Sequence, residues 1–235
     1  MSKYFRKNSD QSGKPLRREE YDHNYRMSLR EWLIQHQKEI VYESMTWMGM
    51  KIWKNPLDAW IYQEILNEVR PGVVVEIGSQ YGGSTRYFAD LLELMGKGMV
   101  ISIDPYRDEY ALSHKRVLAL TGKSSDRDIL AQVEERCKGQ SVFVIQDGNH
   151  NRAQVLEDLE SYSQFVSVGS YFVVEDGIVD LFHTEDGLGF GEEKPGPLAA
   201  TEEFLRHHPE FISDMSRERY ILTYNPKGFL KRISP

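Results

Sequence analysis

The stretch VVVEIGSQYGGS at residues 73–84 constrains this chain more than any other, because strand chemistry gives way to a glycine-rich turn within a few residues. Val73, Val74 and Val75 make a short β-branched run, the pattern of a central parallel strand covered on both faces. Glu76 ends the run with a charge. Gly78, Gly82 and Gly83 admit positive φ angles and close backbone approach, so a ligand can lie against the main chain. Ser84 and Thr85 can cap a following helix. A dinucleotide turn needs G-x-G-x-x-G, whereas here Ser79, Gln80 and Tyr81 separate Gly78 from Gly82. A P-loop needs Gly-Lys-Ser/Thr, and this turn holds no lysine. Both phosphate-binding readings fail.

Strand and helix signals alternate on either side of the turn. Asn55 can cap a helix with Pro56 at its first position, and Pro71 and Gly72 end it. Tyr87, Phe88, Leu91, Leu92 and Met95 repeat with helical spacing. MVISID is a second strand ending in Asp104; a carboxylate there can accept two hydrogen bonds from a ribose diol, and an ordinary turn bent by Pro105 is the alternative. VLAL, SVFVIQD and SYFVVED are further strands, and Ser124 or Ser125 in TGKSSD could face an adenine edge. RYILTYNPKGFLKRI reads as an antiparallel hairpin turning at Asn225-Pro226-Lys227-Gly228. The fold expected is α/β, a doubly wound and mostly parallel sheet closed by that hairpin. Residues 1–50 are expected to be a polar tail and helical extension carrying Tyr21, Tyr25, Trp32 and Ile40, and residues 51–235 one domain. TWMGMKIWKNP, with Trp47, Met48, Met50 and Trp53, reads as core rather than pocket wall. Residues 177–197, rich in glycine, suggest a substrate lid that contains His183.

Two strands end in acids: Asp147, and the pair Glu175 and Asp176. Carboxyl ends of adjacent parallel strands meet at one sheet edge, so these acids can converge on the crevice beside Gly78 and Asp104. Three clustered carboxylates call for a cation, and oxygen ligands suit Mg²⁺ or Mn²⁺ better than zinc; capping of the following helices is the competing reading. His150, three residues beyond Asp147, is close enough to accept a proton there. A net charge of -7 disfavours broad binding to nucleic acid or anionic lipid. Cys137 is the one cysteine, which rules out an intrachain disulfide. No apolar run is long enough for a bilayer, the first residues have no apolar signal core, and a cytoplasmic protein is expected.

The remaining pattern, acid-x-Gly-x-x-x-Gly, resembles the first motif of S-adenosylmethionine (SAM) methyltransferases. In order, WMGMKIWKNPLDAWIYQEIL, VEIGSQYGGS, ISID, the D-x-x-H of Asp147 to His150, VVED, KPGP and NPKGFLKR resemble the rhamnosyl O-methyltransferase and cephalosporin hydroxylase (CmcI-like) family. The resemblance spans residues 47–232. It implies a Rossmann-like class I SAM-methyltransferase fold, with Glu76, Gly78 and Asp104 holding SAM and Ser79, Gly82 and Ser84 in the same turn. It further implies Mg²⁺ on Asp147, Glu175 and Asp176, His150 as base, and a homo-oligomer. The function expected is O-methylation of a hydroxyl on a sugar or glycosylated natural product. Cephalosporin-type hydroxylation or methoxylation, and a SAM-binding module without catalysis, are the alternatives.

Overall fold

The computed structural model describes Arg18, Asp22 and residues 25–182 and 194–235. The chain divides into two compact units, Met1–Met45 and Thr46–Pro235. In the first, Ser28 and Glu31 form a reciprocal capping box at the start of Leu29–Gln35 (α1), which continues as a π-helical turn over His36–Val41. Trp32 and His36 stack at 4.6 Å. Tyr21 lies outside the described residues.

The second unit opens with a small hairpin, Thr46–Trp47 (β1) and Met50–Lys51 (β2). The aromatic and methionine cluster is therefore not core: Met48 sits at the hairpin turn, 69% exposed. Trp47 packs edge-on against Tyr87 and donates to Asp90 instead. Asn55 then caps Pro56–Val69 (α2) through its side chain, and Arg70 ends the helix in the left-handed region. Next come Val73–Ile77 (β3), Gly83–Leu94 (α3), Met99–Asp104 (β4), Val117–Thr121 (β5) and Arg127–Cys137 (α4). Val142–Gln146 (β6), Arg152–Tyr162 (α5) and Tyr171–Val174 (β7) follow, then Pro197–His207 (α6), Phe211–Ser213 (β8) and Phe229–Arg232 (β9).

The sheet runs β5-β4-β3-β6-β7-β9-β8, with the first five strands parallel and β9 antiparallel to both of its neighbours. The doubly wound expectation holds, and so does the antiparallel hairpin at the edge. Its first arm is Phe211–Ser213, however, and not the apolar run at 220–224, which forms no strand. Asp58 explains why: its carboxylate accepts from Thr223 Oγ1 at 2.7 Å and Tyr224 N at 2.8 Å, tying that run to α2. Val75, Ile101 and Val144 pack on one face against Val133, Leu159 and Phe204. On the other, Tyr62 of α2 meets the rings of Phe88, Phe143 and Phe229. Burying each such side chain contributes about 1.5–3 kcal/mol.

This register aligns the strand ends that matter. Ile77 of β3 lies beside both Ile103 of β4 and Gln146 of β6, so Gly78, Asp104 and Asp147 emerge at one edge. Cys137 is buried, and burial pushes its thiol up to about 12, so it is inert packing. Among the described residues no helix is long and apolar enough to cross a membrane.

Candidate active site

Glu76 does not end its strand; β3 continues through Ile77, and the carboxyl group is fully buried. Thr85 Oγ1 donates to it, and Ser84 is also bonded to it. The expected capping role of Ser84 and Thr85 is thus filled by neither: Gly82, at φ 83°, is the N-cap of α3, and the hydroxyls one turn in serve the buried acid. Burial raises the Glu76 pKa to about 7 against the lowering pull of Ser84 and Thr85. A carboxyl that holds its proton more tightly folded than unfolded subtracts stability as pH rises from its ordinary value through about 7. Glu76→Gln is therefore expected to be more stable than wild type at pH 8, by at most about 3 kcal/mol, and to lose that advantage at pH 4.5. Thermal melts across that range check the sign.

Gly78 takes φ 85°, and a Cβ there would overlap the Asp147 carbonyl and the Gly148 Cα. The close approach that demands glycine is thus made by the chain's own β6 loop. Asp104 gathers the turn: its Oδ2 accepts from the Ser79 and Gln80 amides, each at 2.9 Å, and its Oδ1 from Tyr106 N at 2.8 Å. A carboxylate offers about four lone-pair positions, so three loop amides leave little acceptor capacity spare. Ser79 Oγ in turn accepts from Arg107 Nη1 at 2.7 Å. The Arg107 guanidinium also donates to the Ser102 and Leu120 carbonyls and lies 4.3 Å from the Tyr110 ring, while Tyr110 packs over Gly82. Residues 105–116 thereby fold across the turn, an arrangement for which PYRDEY gives no local signal. Ser124 is turned toward α5: its carbonyl accepts from Tyr162 Oη at 2.7 Å and its side chain bonds Asp158, and Ser125 is the more exposed of the two.

The strand-end acids converge as expected, with one change of membership. Donor atoms of Asp147, His150 and Asp176 all lie within 4.8 Å of one another. His150 Nε2 stands 3.2 Å from Asp176 Oδ2. Glu175, expected as the third acid, is turned inward: Oε2 takes the Lys54 ammonium at 2.6 Å and Oε1 the Tyr62 hydroxyl at 2.6 Å. Lys54 is also ion-paired to Asp147 Oδ2. Burial, reinforced by the charge of Asp147, drives the Glu175 pKa well up. Asp147 is pushed up by burial, which Lys54 opposes. Burial would raise Asp176 as well, but His150 beside it prevails and holds it below the ordinary range. Asp176 adopts φ 56° and donates its amide to Asn225 Oδ1 at 3.1 Å, and Asn225 reaches the Tyr62 hydroxyl at 3.3 Å.

Carboxylate oxygens suit Mg²⁺ or Mn²⁺, and Asp147 and Asp176 offer such oxygens within 4.8 Å of each other and of a His150 ring nitrogen.

The ends of the expected lid are tied down. Gly177–Leu181 is a 3-10 turn, and Asp180 accepts from Gly196 N at 2.7 Å and Ala199 N at 3.0 Å at the start of α6. Residues 183–193, His183 among them, lie outside the described residues.

The family model for rhamnosyl O-methyltransferase/CmcI matches residues 39–233. The rhamnosyl O-methyltransferase of Mycobacterium tuberculosis (strain ATCC 25618 / H37Rv) is 34% identical over 202 residues, covering 82% of this chain and 80% of that protein. The rhamnosyl O-methyltransferase of Mycobacterium leprae (strain TN) is 31% identical over 199 residues, covering 82% and 85%. Among solved structures, a magnesium and SAM complex of cmcI shares the fold at a TM-score of 0.59 and 21% identity, over 88% of this chain and 85% of that one.

Proposed function

The chain belongs to the rhamnosyl O-methyltransferase/CmcI family and is a SAM-dependent O-methyltransferase, and we propose that it methylates a hydroxyl of a sugar or glycosylated small molecule with the help of Mg²⁺ or Mn²⁺. The observation that carries this reading is the abutment of two constellations: on its Cβ side Gly78 of the glycine turn meets the backbone of Asp147, the first member of the acidic cluster, and of Gly148. A methyl donor held at the turn and an acceptor held at the cluster would meet across that seam.

SAM supplies the methyl group already activated on a sulfonium. Glu76, Gly78, Ser79, Gly82, Ser84 and Asp104 form the proposed cofactor side, where Asp104 shapes the turn by holding the Ser79 and Gln80 amides. The protein must then align an acceptor oxygen with the methyl carbon and remove its proton. Asp147 and Asp176 would hold the divalent cation, whose chemistry is to fix neighbouring hydroxyls and stabilise a developing alkoxide. His150, oriented by Asp176, is the proposed proton acceptor. Glu175 belongs to the proposed cluster through Lys54 and Asp147. Assembly into a homo-oligomer enters the proposal on family resemblance alone.

Asp104→Ala is expected to weaken SAM binding by about 1–3 kcal/mol, because it removes a hydrogen-bond acceptor and frees the turn amides it organises. Titration calorimetry measures this, and unchanged affinity in a folded variant would place the cofactor elsewhere. The reading as a whole is tested by mass spectrometry of the denatured purified protein for SAM or S-adenosylhomocysteine, with calorimetry against both. Binding of neither would end it, and binding without transfer to any sugar hydroxyl would favour a module that has lost catalysis.

A further inference from the structure

The Lys54 ammonium reaches two carboxylates far from it in sequence, Asp147 Oδ2 and Glu175 Oε2, the latter at 2.6 Å. Its side chain is only 4% exposed. An ammonium that deep is costly unless it is paired, and the two acids compensate for the burial that would otherwise discharge it. The backbone beneath it is anchored, since Lys54 directly precedes Asn55, the cap of α2. The four-carbon stem, by contrast, lets the charged head move without moving that anchor. Asp147 is at the same time one of the three donors grouped with His150 and Asp176. One carboxylate is therefore shared between an internal monocation and the proposed divalent site, and the second carboxylate bound by Lys54 is the acid expected to belong to that site.

We propose that Lys54 is a resident cation that competes with the divalent ion for Asp147 and Glu175. It keeps the two carboxylates together, and it retracts as the ion enters, releasing Glu175 to join Asp147 and Asp176. Lys54 is thus a positioning residue, and it sets the affinity of the site by having to be displaced. The inference rests on the proposed ion site, so its test must separate the two.

Mn²⁺ is the probe, with binding to the full chain followed by electron paramagnetic resonance and by thermal melting. Lys54→Met keeps an unbranched stem of similar length and removes the ammonium. It is expected to melt below wild type in chelator, to bind Mn²⁺ at least about tenfold more tightly, and to gain more melting temperature from saturating Mn²⁺ than wild type does. In wild type, labelling of Lys54 by an amine-reactive reagent, read by peptide mass spectrometry, is expected to rise with Mn²⁺. Equal or weaker Mn²⁺ binding in a folded Lys54→Met chain would overturn the inference alone, while binding in neither chain would overturn the ion site with it. Should the variant fail to fold, the labelling decides: protection of Lys54 that is unchanged by saturating Mn²⁺ overturns the inference.

Discussion

Asp147→Asn is expected to lower turnover about a thousandfold or more while SAM affinity stays within about threefold of wild type, and chelation of divalent cations is expected to do the same to the wild-type enzyme. The size follows from the several kcal/mol of charge stabilisation that a carboxylate-held cation brings to an oxygen nucleophile, since about 4 kcal/mol corresponds to about a thousandfold. The selectivity follows from geometry. Gly78 packs against the Asp147 backbone, which the amide substitution leaves in place, whereas the Asp147 side chain faces Lys54 and the group with His150 and Asp176. The fold should survive, because Lys54 retains Glu175 as its partner. Steady-state rates, a SAM titration and circular dichroism on one preparation suffice. Full activity in excess chelator after dialysis would remove the cation from the mechanism.

What the sequence made legible was local, and what it hid was distant. The valine run and glycines of β3 and its turn, the Asn55-Pro56 helix start and the strand-end acids each announce themselves within a few residues, because turn and cap chemistry is short-range. Lys54 is the contrary case. It meets acids 93 and 121 positions away, and a lysine between a tryptophan and a helix cap looks like any surface charge. One signal was available: three acids at one sheet edge require positive charge, and a lysine can supply part of it as well as an ion can. Thr85 departs from its local preference for a related reason. Its position suits a cap, but buried Glu76 takes its hydroxyl, and Gly82, which has no side chain, stands at the N-cap. The apolar run at 220–224 has strand composition, yet Asp58 holds its backbone amide where a ladder would need it. In each instance a polar partner from elsewhere in the chain overrode the local preference.

His150→Ala is expected to reduce turnover about a hundredfold or more with little change in SAM affinity, the usual scale for losing a positioned base. The argument starts from the acceptor: an ordinary sugar hydroxyl is a very weak acid, and its oxygen attacks well only as its proton leaves. His150 follows β6 by a short loop from Asp147, so the same strand end that places the acid also places the imidazole. Its Nε2 lies 3.2 Å from Asp176, a carboxylate held below its ordinary pKa and therefore charged at neutral pH, which orients the ring and stabilises the imidazolium formed by proton transfer. Asp176 is itself fixed through its amide to Asn225, so the dyad is built on the sheet edge and not on a free loop. Losing the partner of Asp176 is expected to lower the melting temperature in either case, so the sign specific to a base is partial recovery of the rate on adding free imidazole to the alanine variant. An undiminished rate in that variant at neutral pH would move the search for the base to residues 183–193, beginning with His183.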